Sequence, residues 1–207
     1  DNPIEAYSSF DDNNVITSFA NAPKADLYGG ELELQKYFDL GNDEGTGFFG
    51  TRRAVVIANY TYTQSKISVK PGDSVAVFNS SSTSASDFFR DGAPLTGQSD
   101  HLVNLQFGLE DTDRLSQQTL LLTYASDRVT SRGASGQPDI IERPGFQLDF
   151  VARQGIRLGG VDMELKLEVR NITGTQYREF QESGDNRIYY NRYKQGTSGS
   201  IGLDINF

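Results

Sequence analysis

DMELKLEVR, residues 162–170, alternates without a break. Met163, Leu165, Leu167 and Val169 fall on one side, and Asp162, Glu164, Lys166, Glu168 and Arg170 on the other. A helix would spread these charges around its circumference; a strand puts all of them on one face. In a soluble sandwich such a face is the solvated side of a sheet. In a wide barrel it lines a water-filled interior, and the apolar face meets lipid.

The same period recurs along the chain. In YGGELELQKYF (residues 28–38) Leu32, Leu34 and Phe38 oppose Glu31, Glu33 and Gln35, with Lys36 the exception on the apolar side. AVVIANYTY (54–62) aligns Val56, Ala58, Tyr60 and Tyr62, and HLVNLQFGL (101–109) aligns Val103, Leu105, Phe107 and Leu109. QTLLLTYASDR (118–128) groups Leu120, Leu122 and Tyr124. FQLDFVARQ (146–154) groups Phe146, Leu148, Phe150 and Ala152 against Gln147, Asp149 and Arg153. SIGLDINF (200–207) ends the series, and a partial strand is expected in the first ten residues. The spacing thus predicts about seven to eight strands and no helices.

Connection lengths alternate. Links at 111–117 and 159–160 are short and one at 39–51 is moderate, whereas those at 70–99, 131–144 and about 173–188 are long and polar. Tight turns on one side and long loops on the other are what an up-and-down sheet crossing a membrane produces. A Greek-key sandwich has no reason to sort its loops this way. Aromatic placement agrees with interfacial girdles: Tyr60, Tyr62 and Tyr124 lie toward the long-loop ends, Phe38 and Phe207 at the short-turn ends.

Composition narrows the function. A net charge of −9 argues against nucleic acid, which wants a basic patch. With no cysteine, disulfides and thiolate sites are excluded, and the single His101 leaves little for histidine-based metal sites or a catalytic triad. Hydrophobic residues are 36 %, and no stretch approaches a membrane-spanning helix. A transmembrane barrel averages to the same soluble-looking composition, because only alternate residues face lipid. The chain opens DNPIEAY and its one methionine is Met163, so the N-terminus is expected to be a cut, with no signal segment present.

Several groups are candidate sites. Glu31 and Glu33 are carboxylates about 6.6–6.8 Å apart on one strand face, close to an acid–base spacing. With no accompanying pocket residues they read, like Asp162, Glu164, Lys166, Glu168 and Arg170, as charges facing a barrel lumen. No enzyme activity and no cofactor is expected. His101, beside Asp100, reads as a solvated strand-end residue. Asp127, Arg128, Arg132, Asp139, Glu142 and Arg143 cluster in one long loop, and Arg187, Tyr189, Tyr190, Arg192 and Tyr193 in another. Of these, Arg128, Arg132, Arg143, Arg187, Tyr189, Tyr190 and Tyr193 are candidate extracellular ligand contacts, since Arg and aromatic residues favour recognition surfaces. Asn79 and Asn171 match the glycosylation pattern.

Four segments together resemble the C-terminal part of a TonB-dependent outer-membrane receptor barrel. NPIE (2–5) is similar to the end of a rising strand in that family. FANAPKADLYGGELEL (19–34) resembles its pattern of Asn, Ala and Gly-x-Glu-x-Glu, carried by Asn21, Ala25, Gly29 or Gly30, Glu31 and Glu33. VRNITGTQYREFQE (169–182) resembles the penultimate strand and its loop, and the last strand resembles the outer-membrane sorting signal, filled by Ser200, Gly202, Ile205 and Phe207.

The resemblance implies an antiparallel up-and-down transmembrane β-barrel, present here as a partial barrel over residues 1–207. The family's plug, TonB box and signal peptide are missing from these residues. It implies a bacterial outer-membrane location, uptake of a scarce ligand with TonB-relayed energy, and contacts with outer-membrane lipid and the barrel-assembly machinery. TonB would be reached only through the plug. The ligand is not legible. Two alternatives stand beside it: a small self-contained outer-membrane barrel acting as pore or adhesin, and a soluble β-sandwich binding module.

Overall fold

The computed structural model describes residues 1–11, 14–41, 46–77, 80–133 and 136–206. Asn79 and Phe207, both singled out above, lie outside the described residues. β1 (Ile4–Asp11) and β2 (Asn14–Asn21) pair as a hairpin. β3 (Lys24–Asp39), β4 (Arg52–Ser68), β5 (His101–Asp111) and β6 (Ser116–Ala125) follow as a meander. Then come β7 (Arg128–Ser131), β8 (Ile140–Glu142), β9 (Gly145–Leu158) and β10 (Val161–Arg170). β11 (Gln176–Ser183), β12 (Asn186–Lys194) and β13 (Ser198–Asn206) end the order.

Seven strands form one antiparallel sheet in the order β13-β10-β9-β6-β5-β4-β3. The period-2 pattern sets its faces, and register aligns the apolar residues into rows across it. Leu34, Ala58, Leu105, Leu122 and Leu148 stand opposite one another in turn, as do Val56, Phe107, Leu120, Phe150 and Val169. A one-residue slip in any pair would send a whole strand's apolar set to the other face. Among the described residues no second sheet covers this band: Leu32 is 67 % exposed, Phe107 48 % and Ile201 77 %. A contiguous apolar surface of this extent does not face water. The sandwich alternative therefore fails, because a sandwich would bury this face against a facing sheet.

The sheet is an open wall. β3 and β13 are its edges, and in a seven-strand meander first and last strands run the same way. Pairing them directly would be parallel, so these strands do not form a small antiparallel barrel by themselves. The tightest link is Gly159–Gly160, where Leu158 pairs with Val161. Both glycines have positive φ, 60° and 87°, as a two-residue type I′ turn requires.

At the opposite end the wall continues upward. A four-stranded sheet ordered β12-β11-β8-β7 repeats the wall order β13-β10-β9-β6 strand for strand. Two of the predicted long polar links, 131–144 and 173–188, thus contain strands. These were hidden from the alternation because β8 is three residues long and bulges interrupt β11–β12 and β7–β8. β1 fulfils the expected partial strand; its partner β2 was not anticipated. The principal apolar cluster also lies at this end, not in the wall. Tyr7, Ala20, Ala22, Ile67, Val75, Val77, Ala85, Phe88 and Phe89 bury one another where the β1–β2 hairpin, the top of β4 and residues 75–77 and 85–89 meet.

Between the two candidate glycines of the Gly-x-Glu-x-Glu pattern the structure separates the roles. A Cβ on Gly29 would lie 2.2 Å from the Tyr62 carbonyl oxygen, whereas Gly30 has open space. Gly29→Ala is expected to destabilise the purified protein by about 1–3 kcal/mol, as overpacking against immovable backbone does. Gly30→Ala is expected to be neutral or to stabilise by up to about 1 kcal/mol. Thermal unfolding of the two variants side by side checks this.

Candidate functional site

The polar face of the wall is laced with ion pairs. On β10, Asp162 meets Arg157 at 3.5 Å and Glu164 meets Arg153 at 2.5 Å, both from β9. Lys166 reaches Asp204 of β13 at 3.0 Å and Glu164 at 3.8 Å, and Glu168 pairs with Arg170 at 3.2 Å. Arg53 of β4 pairs with Glu110 of β5 and stacks on Tyr37, 4.5 Å from the ring centre. Each pair is screened by solvent and stabilises weakly; the row as a whole holds side-chain directions on a polar face. Glu31 and Glu33 lie apart from these, on β3 at the far edge of the sheet. Glu31 accepts a hydrogen bond from Asn59 Nδ2 at 2.7 Å. Glu33 stands opposite the same Asn59 in register.

β13 lies against β10 with Ser200 opposite Glu168, Gly202 opposite Lys166 and Ile205 opposite Met163. Ser200 and Gly202 therefore share the polar face, and Ile205 the apolar one.

At the loop end a buried arginine ties three segments together. Arg132, 1 % exposed, donates to Glu5 of β1 through Nε at 2.9 Å and Nη2 at 2.6 Å, and to Asp139 through Nη1 at 3.0 Å. It also donates to the Pro94 carbonyl. Glu5, equally buried, accepts from the Thr96 amide at 3.1 Å. Backbone bonds reinforce the junction: Ser8 N donates to Arg132 O at 2.9 Å, and Arg132 N to Ala6 O at 2.8 Å.

Asn171 anchors the final loop where β10 ends. It is buried and left-handed, with φ of 52°. Its Nδ2 donates to the carbonyls of Thr175 at 3.0 Å and Gly196 at 2.8 Å, its Oδ1 accepts from Thr175 N at 2.9 Å, and its own amide donates to Asp149 at 2.7 Å. The side-chain Nδ2, the atom a glycan would occupy, is committed to the Thr175 and Gly196 carbonyls, so the glycosylation pattern there is a coincidence of spacing. His101 stacks on Tyr60, whose hydroxyl lies 2.9 Å from Nδ1, and its ring leans toward Tyr62.

Against known families, the model for the TonB dependent receptor-like β-barrel matches residues 1–172. The chain belongs to that family. No curated protein and no solved structure matches it. The family is one of outer-membrane transporters rather than enzymes, and the open all-β wall fits a portion of such a barrel.

Within this receptor barrel the candidate ligand contacts divide. Arg143, Arg187 and Tyr189 gather around Phe180, with the guanidinium carbons of Arg143 and Arg187 at 5.2 and 4.4 Å from its ring centre. Arg143 is held bidentately by Asp127 at 2.6–3.0 Å, and Arg187 by Glu182 at 3.0 Å. Those carboxylate bonds push both guanidinium pKa values up. Tyr190 and Tyr193 are exposed on β12, and Tyr193 stacks on Tyr177 at 4.9 Å. Burial, and then a hydrogen bond to Glu179, push the Tyr177 hydroxyl pKa up. Arg128 is drawn to Glu142 at 2.8 Å on another part of the sheet. Arg132 is placed inside, its guanidinium taken up by Glu5 and Asp139. Sequence reasoning passed over Glu5, whose partner lies 127 residues away, and Arg178, an unremarkable charge in a polar loop.

Removing one member of the Glu5–Arg132–Asp139 set leaves an unpaired buried charge, costing about 3–5 kcal/mol. Arg132→Met is therefore expected to expose the loop end to proteases, with the wall still folded. Glu5→Gln combined with Arg132→Met is expected to recover part of the loss. Limited proteolysis of the singles and the double gives the comparison.

Proposed function

We propose that this chain forms part of the wall of an outer-membrane receptor that imports a scarce ligand with energy relayed by TonB. The observation carrying the reading is the uncovered apolar band, continuous across seven strands, behind a face laced with ion pairs. In hydrocarbon every backbone N–H and C=O must be paired, so only a closed wall can stand there. Closure of this one with antiparallel pairing needs an odd number of further strands. The apolar rows then contact outer-membrane lipid, and Tyr60, Tyr62 and Tyr124 sit at the outer interface. Glu31, Glu33, Asp162, Glu164, Lys166, Glu168 and Arg170 face the lumen, and TonB acts through a plug seated there. The four-stranded sheet stands outside the cell, offering Arg143, Arg187, Tyr189, Tyr190 and Tyr193 to ligand. Ser200, Gly202, Ile205 and Phe207 are read by the barrel-assembly machinery.

Epitope insertions test the orientation. A tag at Ser82 is expected to bind antibody on intact cells, and a tag at Gly160 only after the outer membrane is opened. Equal labelling of both, or a folded product in the soluble fraction, contradicts the reading. Deleting Phe207 is expected to lower the amount assembled in the outer membrane while receptors that do assemble keep their ligand affinity. Uptake conferred by the gene is expected to vanish in a strain lacking TonB; undiminished uptake would remove the energy-coupled part.

A further inference from the structure

The four-stranded sheet carries a cluster of cations that no carboxylate among the described residues neutralises. On β11 and β12, Arg178 stands directly opposite Arg192, and Gln176 opposite Lys194. Three cations therefore share one face across a single strand pair. Like charges directly opposite destabilise a sheet, and a chain of net charge −9 has carboxylates to spare. Nevertheless, among the described residues none of the three forms an ion pair. The neighbouring carboxylates are already engaged: Asp127 by Arg143, Glu182 by Arg187 and Glu142 by Arg128. Glu142 and Glu179, paired with each other in register, fall on the opposite face with Tyr177 and Tyr193. Arg192 donates to the Gln176 side-chain oxygen at 3.4 Å and lies 5.0 Å from the Tyr189 ring centre, neither of which supplies a negative charge.

The Nε of Arg178 is buried and has no hydrogen-bond partner among the described residues. A buried donor left unmade is costly. Arg178, though neither Arg192 nor Lys194, also lines a cavity of about 280 Å³ together with Arg143, Gln176, Gly145, Thr173 and Thr175. That volume admits an oxyanion with its hydration.

We propose that the Arg178–Arg192–Lys194 face binds an oxyanion, a phosphate or carboxylate group, that supplies the missing negative charge. The guanidinium forks of Arg178 and Arg192 suit bidentate recognition of such a group, and Lys194 adds a point charge. The anion belongs either to a phosphorylated lipid of the outer leaflet or to a dissolved solute drawn toward the receptor. The inference rests on the receptor reading only in placing this sheet outside the bilayer. Failure of TonB-dependent uptake would leave the anion titration untouched, and failure of anion binding would leave the transport reading standing.

The test uses the purified receptor in detergent, titrated with inorganic phosphate by calorimetry and by thermal unfolding. Phosphate is expected to bind the wild type and raise its unfolding temperature. In Arg178→Gln/Arg192→Gln the affinity is expected to fall at least tenfold, with loss of the phosphate-induced shift. The double variant without phosphate is expected to unfold no earlier than the wild type, because a repulsion has been removed. Arg157→Gln, a cation at the short-turn end, is expected to leave binding unchanged. Should the double variant not fold, Arg192→Gln alone, at an exposed position, carries the same comparison. Lipopolysaccharide retained through detergent exchange by the wild type and lost by the variant assigns the anion to lipid. Equal retention with phosphate affinity lost assigns it to a solute. Wild-type protein that binds neither phosphate nor lipopolysaccharide, or a folded variant that binds phosphate as tightly, overturns the proposal.

Discussion

Backbone hydrogen bonding is the constraint on which this structure depends. A strand in hydrocarbon has no water to satisfy its N–H and C=O groups, so each must lie between two neighbours. The five interior strands of the wall, β4, β5, β6, β9 and β10, meet that condition on both sides. β3 and β13 meet it on one side, and because they run in the same direction they cannot complete each other in antiparallel fashion. The register inside the wall follows from the same requirement: once strands are paired edge to edge, the side chains stand in rows, and only an alternating sequence keeps those rows of one character.

This arrangement reverses the usual location of a hydrophobic core. The apolar residues of the wall lie on the face opposite the ion pairs, and nothing among the described residues covers them. The main apolar cluster that the described residues bury lies at the loop end, where the β1–β2 hairpin packs on residues 75–77 and 85–89. There the chain has a core of its own, and a fully enclosed Arg132 joins segments that no strand pairing would bring together. Buried ion pairs contribute little net stability compared with well-packed apolar groups, but they penalise any arrangement that separates them. Glu5, Arg132 and Asp139 thus specify how the hairpin and two loops meet, more than how strongly.

The wall was legible in the sequence because its rule is local. DMELKLEVR reads as a two-faced strand from nine residues, and the other six wall strands follow the same rule. The loop-end sheet was not legible, because β8 is three residues long and β11–β12 carry a bulge, which breaks the period on which the reading relies. The candidate site divides along the same line. The charges of β10 could be assigned to one face from the sequence, but not their partners Arg153, Arg157 and Asp204. Arg132 looked like a recognition residue because Arg in a polar loop usually is one; its burial depends on Glu5. Arg178 could not be singled out until strand pairing set it opposite Arg192.

By itself, then, the sequence determined the strand period, the character of each face and the alternation of short and long connections. All three follow from side-chain direction along an extended backbone, a property of neighbouring residues. The tertiary structure alone decided which strands adjoin, that the wall continues upward as a second sheet, that Gly29 rather than Gly30 is sterically required, and which cations are paired. Those depend on contacts between residues far apart in the chain, Glu5 with Arg132 and Gly29 with Tyr62 among them. No local pattern encodes a partner's position; only the folded register supplies it.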